Sequence, residues 1–140
     1  MSTRGDGETV NVRRATVADA ATISALNADV QAVHAAALPW LFKTPSAETF
    51  PPATAAAMLA RDDVLVYLAY LGDAPSVLPS LRGRGIGGAL LGAVRQAADD
   101  RDIRQVALDV WSFNERAEAF FRRHGFEAYN ERLWLRWSAD

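Results

Sequence analysis

The sequence predicts an α/β domain. Short runs rich in β-branched and aromatic residues (Val10–Arg14, Val64–Leu71, Gln105–Val110) alternate with longer stretches whose apolar residues recur every three or four positions. That alternation is the signature of strands interleaved with amphipathic helices. A second observation is the run Ser76-Val-Leu-Pro-Ser-Leu-Arg-Gly-Arg-Gly-Ile-Gly-Gly-Ala-Leu-Leu91, where an apolar run passes through a glycine loop into a helical repeat. Third, a chain of 140 residues, 50% hydrophobic and 23% charged, suits a single globular domain with a sizeable core.

Each element has its own warrant. Residues 1–9 are polar and charged and read as a disordered tail, leaving 10–140 as the domain. Strand one is Val10–Arg14. Thr16-Val-Ala-Asp19 is a capping start for a helix, and Ile23, Leu26, Val30 and Val33 mark one buried helical face. Pro39 stops that helix, and residues 40–52, with Pro45, Pro51 and Pro52, form a loop. Alanine-rich Ala53–Arg61 is helical, Val64–Leu71 is a strand, and residues 86–99 form the helix after the glycine loop. Gln105–Val110 is the next strand, with Asp109 on its solvated face. Ser112-Phe-Asn-Glu115 reads as a capping-box start, with Asn114 or Ser112 as the N-cap, for a helix closed by Gly125. Leu133–Trp137 is the closing strand, and Trp111, Trp134 and Trp137 read as core or dimer-contact aromatics.

The glycine loop carries the chemistry. A helix start leaves backbone N–H groups unpaired and carries a partial positive charge. Gly83, Gly85, Gly87 and Gly88 place no side chain between those groups and an anion. Arg82 and Arg84 add guanidiniums, joined at longer range by Arg122 and Arg123. The loop reads as a di- or polyphosphate site. It lacks the Gly-Lys-Ser/Thr ending of a nucleoside triphosphatase. The dinucleotide pattern G-x-G-x-x-G is present at Gly83, Gly85 and Gly88, with Asp102 and Asp109 downstream, but too little chain follows for the further βα units that such a domain needs. The remaining pattern is R-x-x-G-x-G at Arg82, Gly85 and Gly87.

Arg82-Gly-Arg-Gly-Ile-Gly, preceded by Val77-Leu-Pro79, resembles motif A of the GNAT acyl-CoA N-acyltransferases. Val106–Val110, then Asn114, Ala117, Phe120-Phe121 and Gly125-Phe126, resembles the family's later strand and helix signature, and Val12–Ala20 resembles its opening. The resemblance covers most of residues 10–137. It implies an α/β fold with a mixed, twisted central sheet of about six or seven strands flanked by about four helices. It also implies transfer of an acyl group, above all acetyl, from acetyl-CoA to an amine by direct attack on the thioester, without a covalent enzyme intermediate. In that frame Arg82, Gly83, Arg84, Gly85, Ile86, Gly87 and Gly88 hold the pyrophosphate. Val77 and Leu78 offer backbone to the pantetheine arm, and Asn114 contacts the pantetheine or phosphate end.

Two departures stand out. Phe121 occupies the position where many family members carry a tyrosine that protonates the leaving thiolate, and phenylalanine has no proton to give. Tyr129, Ser112 or a water is left for that task, His34 is a further candidate in the acceptor pocket, and the base is unassigned. Alternatively the domain is a non-catalytic acyl-CoA sensor, or a nucleotide- or dinucleotide-binding module. The second departure is length. Leu71-Gly-Asp-Ala-Pro75 runs straight into Ser76, whereas a further strand and most of a long fourth one amount to roughly 15–25 residues. The expectation is that residues are missing between Asp73 and Val77, and an intact mass of 15.2 kDa would refute it.

Composition narrows the rest. Fifteen basic and 17 acidic side chains give a net charge of −2, so there is no global attraction to nucleic acid. With no cysteine, disulfides, thiolate metal sites and a thiol nucleophile are excluded. No His/Asp/Glu group has metal-ligand spacing, and no apolar run is long enough for a membrane span. The expectations are a cytoplasmic protein, no metal, no nucleic-acid or membrane partner, a small-molecule or peptide amine acceptor, and a possible homodimer. Trp40, Phe42 and Lys43, within the segment 24–60, are candidates to frame that acceptor, as is the loop before Leu133.

Overall fold

The computed structural model describes residues 9–46, 48–72, 74–75 and 85–139, for 74–75 the backbone alone. Two compact units emerge, Met1–Val106 and Ala107–Asp140.

In the first unit, β1 (Val10–Arg14) runs antiparallel to β2 (Tyr67–Leu71), with Val10 opposite Leu71 and Arg14 opposite Tyr67. Side chains alternate across a strand, so Val10 and Val12 face one side and Asn11 and Arg13 the other. A 3-10 turn, Val17–Asp19, leads into α1 (Ala20–Ala37). This helix ends at Ala37, with Leu38 as its C-cap directly before Pro39, as expected, since a proline disfavours helical backbone in the residue before it. The predicted buried face of α1 is not observed. Val30 and Val33 are 42% and 46% exposed, and no residue of the helix is buried. The periodicity reported a helix correctly, but what it packs on is α2 (Pro52–Leu59), whose Ala55 is fully buried. Pro52 sits at the start of α2, where its missing N–H is not needed. The Ser24 hydroxyl donates to the Phe50 carbonyl at 2.5 Å, tying α1 to the approach of α2.

After β2 the chain turns at Gly72 (φ 62°) into β3, only Ala74–Pro75, paired with Leu71 and Tyr70. Proline at this edge has no N–H to donate onward. The predicted strand Val64–Leu71 therefore begins later, at Tyr67, and a hairpin stub follows it. Apart from Ala74–Pro75, the segment of the expected gap between Asp73 and Val77 and the strand entering the glycine loop fall outside the described residues. The helix α3 (Ile86–Asp100) packs on β1 and β2. There Ala69, Leu71 and Ile86 are buried, with Val10, Val12 and Leu90 against them.

The second unit holds α4 (Glu115–Arg123), closed by His124 and by Gly125 at φ 92°. Asn114, not Ser112, is the N-cap, its Oδ1 accepting from the Ala117 N–H at 3.2 Å. Gln105–Val110 and Leu133–Trp137 were expected as strands, but neither carries a ladder among the described residues. Without a partner strand, an alternating pattern alone makes no sheet. The aromatic residues Trp111, Trp134 and Trp137 are not core: they are 38%, 58% and 79% exposed. Among the described residues no helix is long and apolar enough to cross a membrane.

Candidate functional site

The site is built from the start of α3. Gly85 is the N-cap, in the left-handed region at φ 78°. Among the described residues a Cβ built there meets nothing within 4 Å, so it is the backbone angle that favours glycine. The turn closes with the Ala89 N–H on the Gly85 carbonyl at 3.1 Å. The N–H groups of Ile86, Gly87 and Gly88 precede the first intrahelical donor and point out of the helix end. Glycine at the cap offers them no side-chain acceptor. Ile86 itself is buried and anchors the turn to Ala69 and Leu71. The result is a turn with a fixed base, suited to an anion of phosphate type. Among the residues proposed to line it, Val77, Leu78, Arg82, Gly83 and Arg84 lie outside the described set.

In the second unit Asn114 spends its side-chain oxygen on the cap of α4, leaving its amide group for other partners. Phe121 is half-buried. Its ring meets Phe120 and Phe126 edge-on, at 5.2 and 5.5 Å between centroids, a favourable geometry for aromatic pairs. Phe126 follows the Gly125 turn and donates its N–H to the Phe121 carbonyl at 3.1 Å. Ser112 is exposed in the turn before α4, and Tyr129 is 80% exposed. Arg122 is engaged by Glu118 at 3.0 Å. His34, in the first unit, stacks on Phe42 at 5.1 Å.

One relationship was not legible beforehand. Arg13 grips Asp19 through two hydrogen bonds and reaches Tyr70 Oη at 2.9 Å, its guanidinium lying 5.1 Å from that ring's centre. Asp19 also accepts from the Thr16 N–H. The Arg13 hydrogen bonds, then the Thr16 N–H, hold its carboxyl well below the usual range. A Thr-x-x-Asp signature was visible in the sequence; its arginine partner was not. Arg13 and Tyr70, with Asn11 and Gly72, line an open cavity of about 340 Å³. An apolar cavity of about 270 Å³ lies among Leu65, Tyr67, Val94, Ala97, Ile103 and Val106. Neither is lined by a residue that the sequence marks as a candidate for catalysis or cofactor binding. No group of three or more His, Asp or Glu among the described residues is placed to hold a metal.

Comparison with known proteins then adds the family. A family model described as acetyltransferase (GNAT) family matches residues 41–126, the described part of the glycine turn and Asn114 included. No curated protein matches the chain. Among solved structures, a tetramutant of the BH1408 protein from Bacillus halodurans has a TM-score of 0.77 at 22% identity, covering 91% of this chain and 99% of its own. The aminoglycoside N-acetyltransferase AAC(6')-Iy, in complex with a bisubstrate analog of CoA and acetylneamine, has a TM-score of 0.68 at 16% identity, covering 93% and 99%. An aminoglycoside acetyltransferase, meta-AAC0020, from an uncultured soil metagenomic sample, in complex with sisomicin, has a TM-score of 0.63 at 14% identity, covering 94% and 97%. These likenesses establish the mixed α/β fold.

Proposed function

Because this chain belongs to the GNAT family of acetyltransferases, we propose that it transfers an acyl group, acetyl by preference, from acyl-CoA to the amine of a small molecule or peptide. The observation that carries this reading is the start of α3: a left-handed Gly85 followed by the outward N–H groups of Ile86, Gly87 and Gly88. Such a turn fits the pyrophosphate of CoA, with Arg82 and Arg84 as its charged flank and Asn114 as a further contact. The complexes of AAC(6')-Iy with CoA and with a bisubstrate analog support the same cosubstrate. The six- or seven-stranded sheet of the family belongs to this proposal too.

Chemically, a carbon–nitrogen bond forms as the carbon–sulfur bond breaks, and one proton passes from the amine toward the departing thiolate. The protein's part is to position the partners and to stabilise charge. Tyr129, Ser112 and His34 are the groups to test for moving that proton. Aminoglycosides are one class to test as acceptor, since solved neighbours act on them. Acids that would hold such a polycation are sparse in the segment 24–60, where Asp29 and Glu48 stand among the exposed Trp40 and Leu41.

A second reading, an acyl-CoA sensor without turnover, is favoured by Phe121, which packs between two other phenylalanines and carries no hydroxyl. One experiment separates the two. Acetyl-CoA at 100 times its Kd should stabilise the protein by about 2.7 kcal/mol, with much less from NAD or ATP. Thiol release across a panel of amines then marks the enzyme, and binding without release marks the sensor. Equal protection by NAD would overturn both.

A further inference from the structure

The apolar stripe of α3 outruns the sheet it packs on. Ile86 and Leu90 meet β1 and β2 on one helix face. Steps of four and three along the helix carry that face on to Val94 and Ala97. Val94 is exposed and borders the apolar cavity of about 270 Å³, whose other walls are Leu65 and Tyr67 at the entry to β2 and Ile103 and Val106 after the helix. Ile103 and Val106 are exposed as well. Concave sites lined by apolar side chains are where small molecules bind, and contiguous exposed apolar surface marks such places. Packed at the interior density of about 0.74, the cavity holds roughly 200 Å³ of ligand, an aliphatic chain of about eight to ten carbons. The lining has one charged group, Arg101. Its Nη1 donates to the Ala97 carbonyl at 3.0 Å, which holds the guanidinium at the rim.

We propose that this cavity binds a medium-chain fatty acid, its chain against Val94, Ala97 and Ile103 and its carboxylate on Arg101. The charges around the rim select that head group. Arg104 takes Asp99 and Asp102, at 2.7 and 3.2 Å, and Asp100 accepts from the Gln96 amide at 2.8 Å. None of these acids lines the cavity. Among the described residues Arg101 meets no acid, and its Nε and Nη2 have no acceptor. A carboxylate at the rim therefore meets a guanidinium at contact distance, with the charge-assisted geometry that favours this pair. The exposed acids act on it only through solvent, where salt screens them. The bond from Arg101 to Ala97 also covers a carbonyl of the last helical turn, a group that would otherwise repel an anion. This inference is independent of the acyl-transfer reading and makes no use of the glycine turn.

Calorimetric titration of the full-length protein with decanoate tests this. Decanoate should saturate a single site per chain. Decanol and decylamine, which share its chain but carry an uncharged or a cationic head, should bind about tenfold more weakly or worse. Arg101→Gln should weaken decanoate by about tenfold and leave decanol unchanged. Ala98→Leu fills the cavity from the helix side and should abolish decanoate binding with an unchanged far-ultraviolet circular dichroism spectrum. Ala97 stands about 18 Å along α3 from Gly85 at about 1.5 Å per residue, so decanoate should not displace acetyl-CoA. No saturable binding, several sites per chain, equal or tighter binding of decanol or decylamine, wild-type affinity in both variants, or displacement of acetyl-CoA would each overturn the proposal. Protection by acetyl-CoA alone, measured on the same samples, reports on the acyl-transfer reading separately.

Discussion

Arg13 and Asp19 face each other through two hydrogen bonds, Nη1 to Oδ2 at 2.8 Å and Nη2 to Oδ1 at 2.7 Å. The pair joins β1 to the start of α1 and, through Tyr70, to β2. Asp19 is the one buried charged residue among those described, which is where a bidentate pair matters most.

The pair should make stability fall in acid. The folded state holds the Asp19 carboxyl below its ordinary value, mainly through Arg13 and then the Thr16 N–H. A group depressed in this way contributes stability above its unfolded pKa, about 3.9, and loses it as pH falls toward the folded one. Asp19→Asn should lower Tm by several degrees at pH 7. Its deficit relative to wild type should shrink as pH drops below about 4. Melting curves from pH 7 to pH 2 check this, and a deficit independent of pH would refute it.

At the glycine turn, Arg82→Ala with Gly85→Asp should weaken acetyl-CoA binding at least tenfold. The aspartate brings a negative charge to the helix start, where an anion should sit. Asp tolerates a positive φ better than most residues, and no described residue lies within 4 Å of the new Cβ, so the fold should survive. Calorimetric titration gives the affinity and circular dichroism the fold. Wild-type affinity in the double variant would place the phosphate elsewhere.

Asn114 can be separated into its two possible roles. Asn114→Ala removes the oxygen that accepts from Ala117 and should cost about 1 kcal/mol of stability. Asn114→Asp keeps an oxygen for the cap and loses only the amide donor. Near-wild-type stability with severalfold weaker acetyl-CoA binding in Asn114→Asp would assign the amide to the ligand. Unchanged affinity would leave Asn114 as a cap alone.

Phe121→Tyr adds one oxygen to a half-buried ring. Leaving a hydroxyl buried and unsatisfied costs about 1–3 kcal/mol. Here the ring is gripped at its edges by Phe120 and Phe126 but is not enclosed. We expect a Tm within a few degrees of wild type and acetyl transfer that is unchanged or modestly faster. Strong destabilisation would show that the position is packed core and does not correspond to the family's tyrosine.

What the sequence made legible follows the range of the forces involved. α3 and α4 were readable because helix hydrogen bonds are local, and because Gly85 and Gly125 mark their flanks with positive φ. Val10–Arg14 was readable because its partner Tyr67–Leu71 exists to pair with it. Gln105–Val110 and Leu133–Trp137 show the same alternation, yet a strand needs a distant partner that no local pattern supplies. Val30 and Val33 repeat at helical spacing in α1, but spacing cannot say whether another element covers them. Ser112 and Asn114 are both good caps, and the choice between them rests on where the first helical turn closes. The GNAT motif was legible at the turn from Gly85 to Gly88, because Gly85 stands at a positive φ that few residue types adopt. Arg13 with Asp19 was not, because the bond joins a strand to a helix start through side chains.

The tryptophans give the protein an uneven optical signature. Trp111, Trp134 and Trp137 all lie in the unit Ala107–Asp140, and Trp40 alone in the other, while Tyr67 and Tyr70 stand in β2. Indole emission, shifted to the red by exposure to water, therefore follows mainly the second unit. The sheet and α3 can lose their structure with little change in that signal. A denaturation curve recorded by fluorescence alone would assign one unit's midpoint to the whole chain, whereas far-ultraviolet circular dichroism weighs the helices of both.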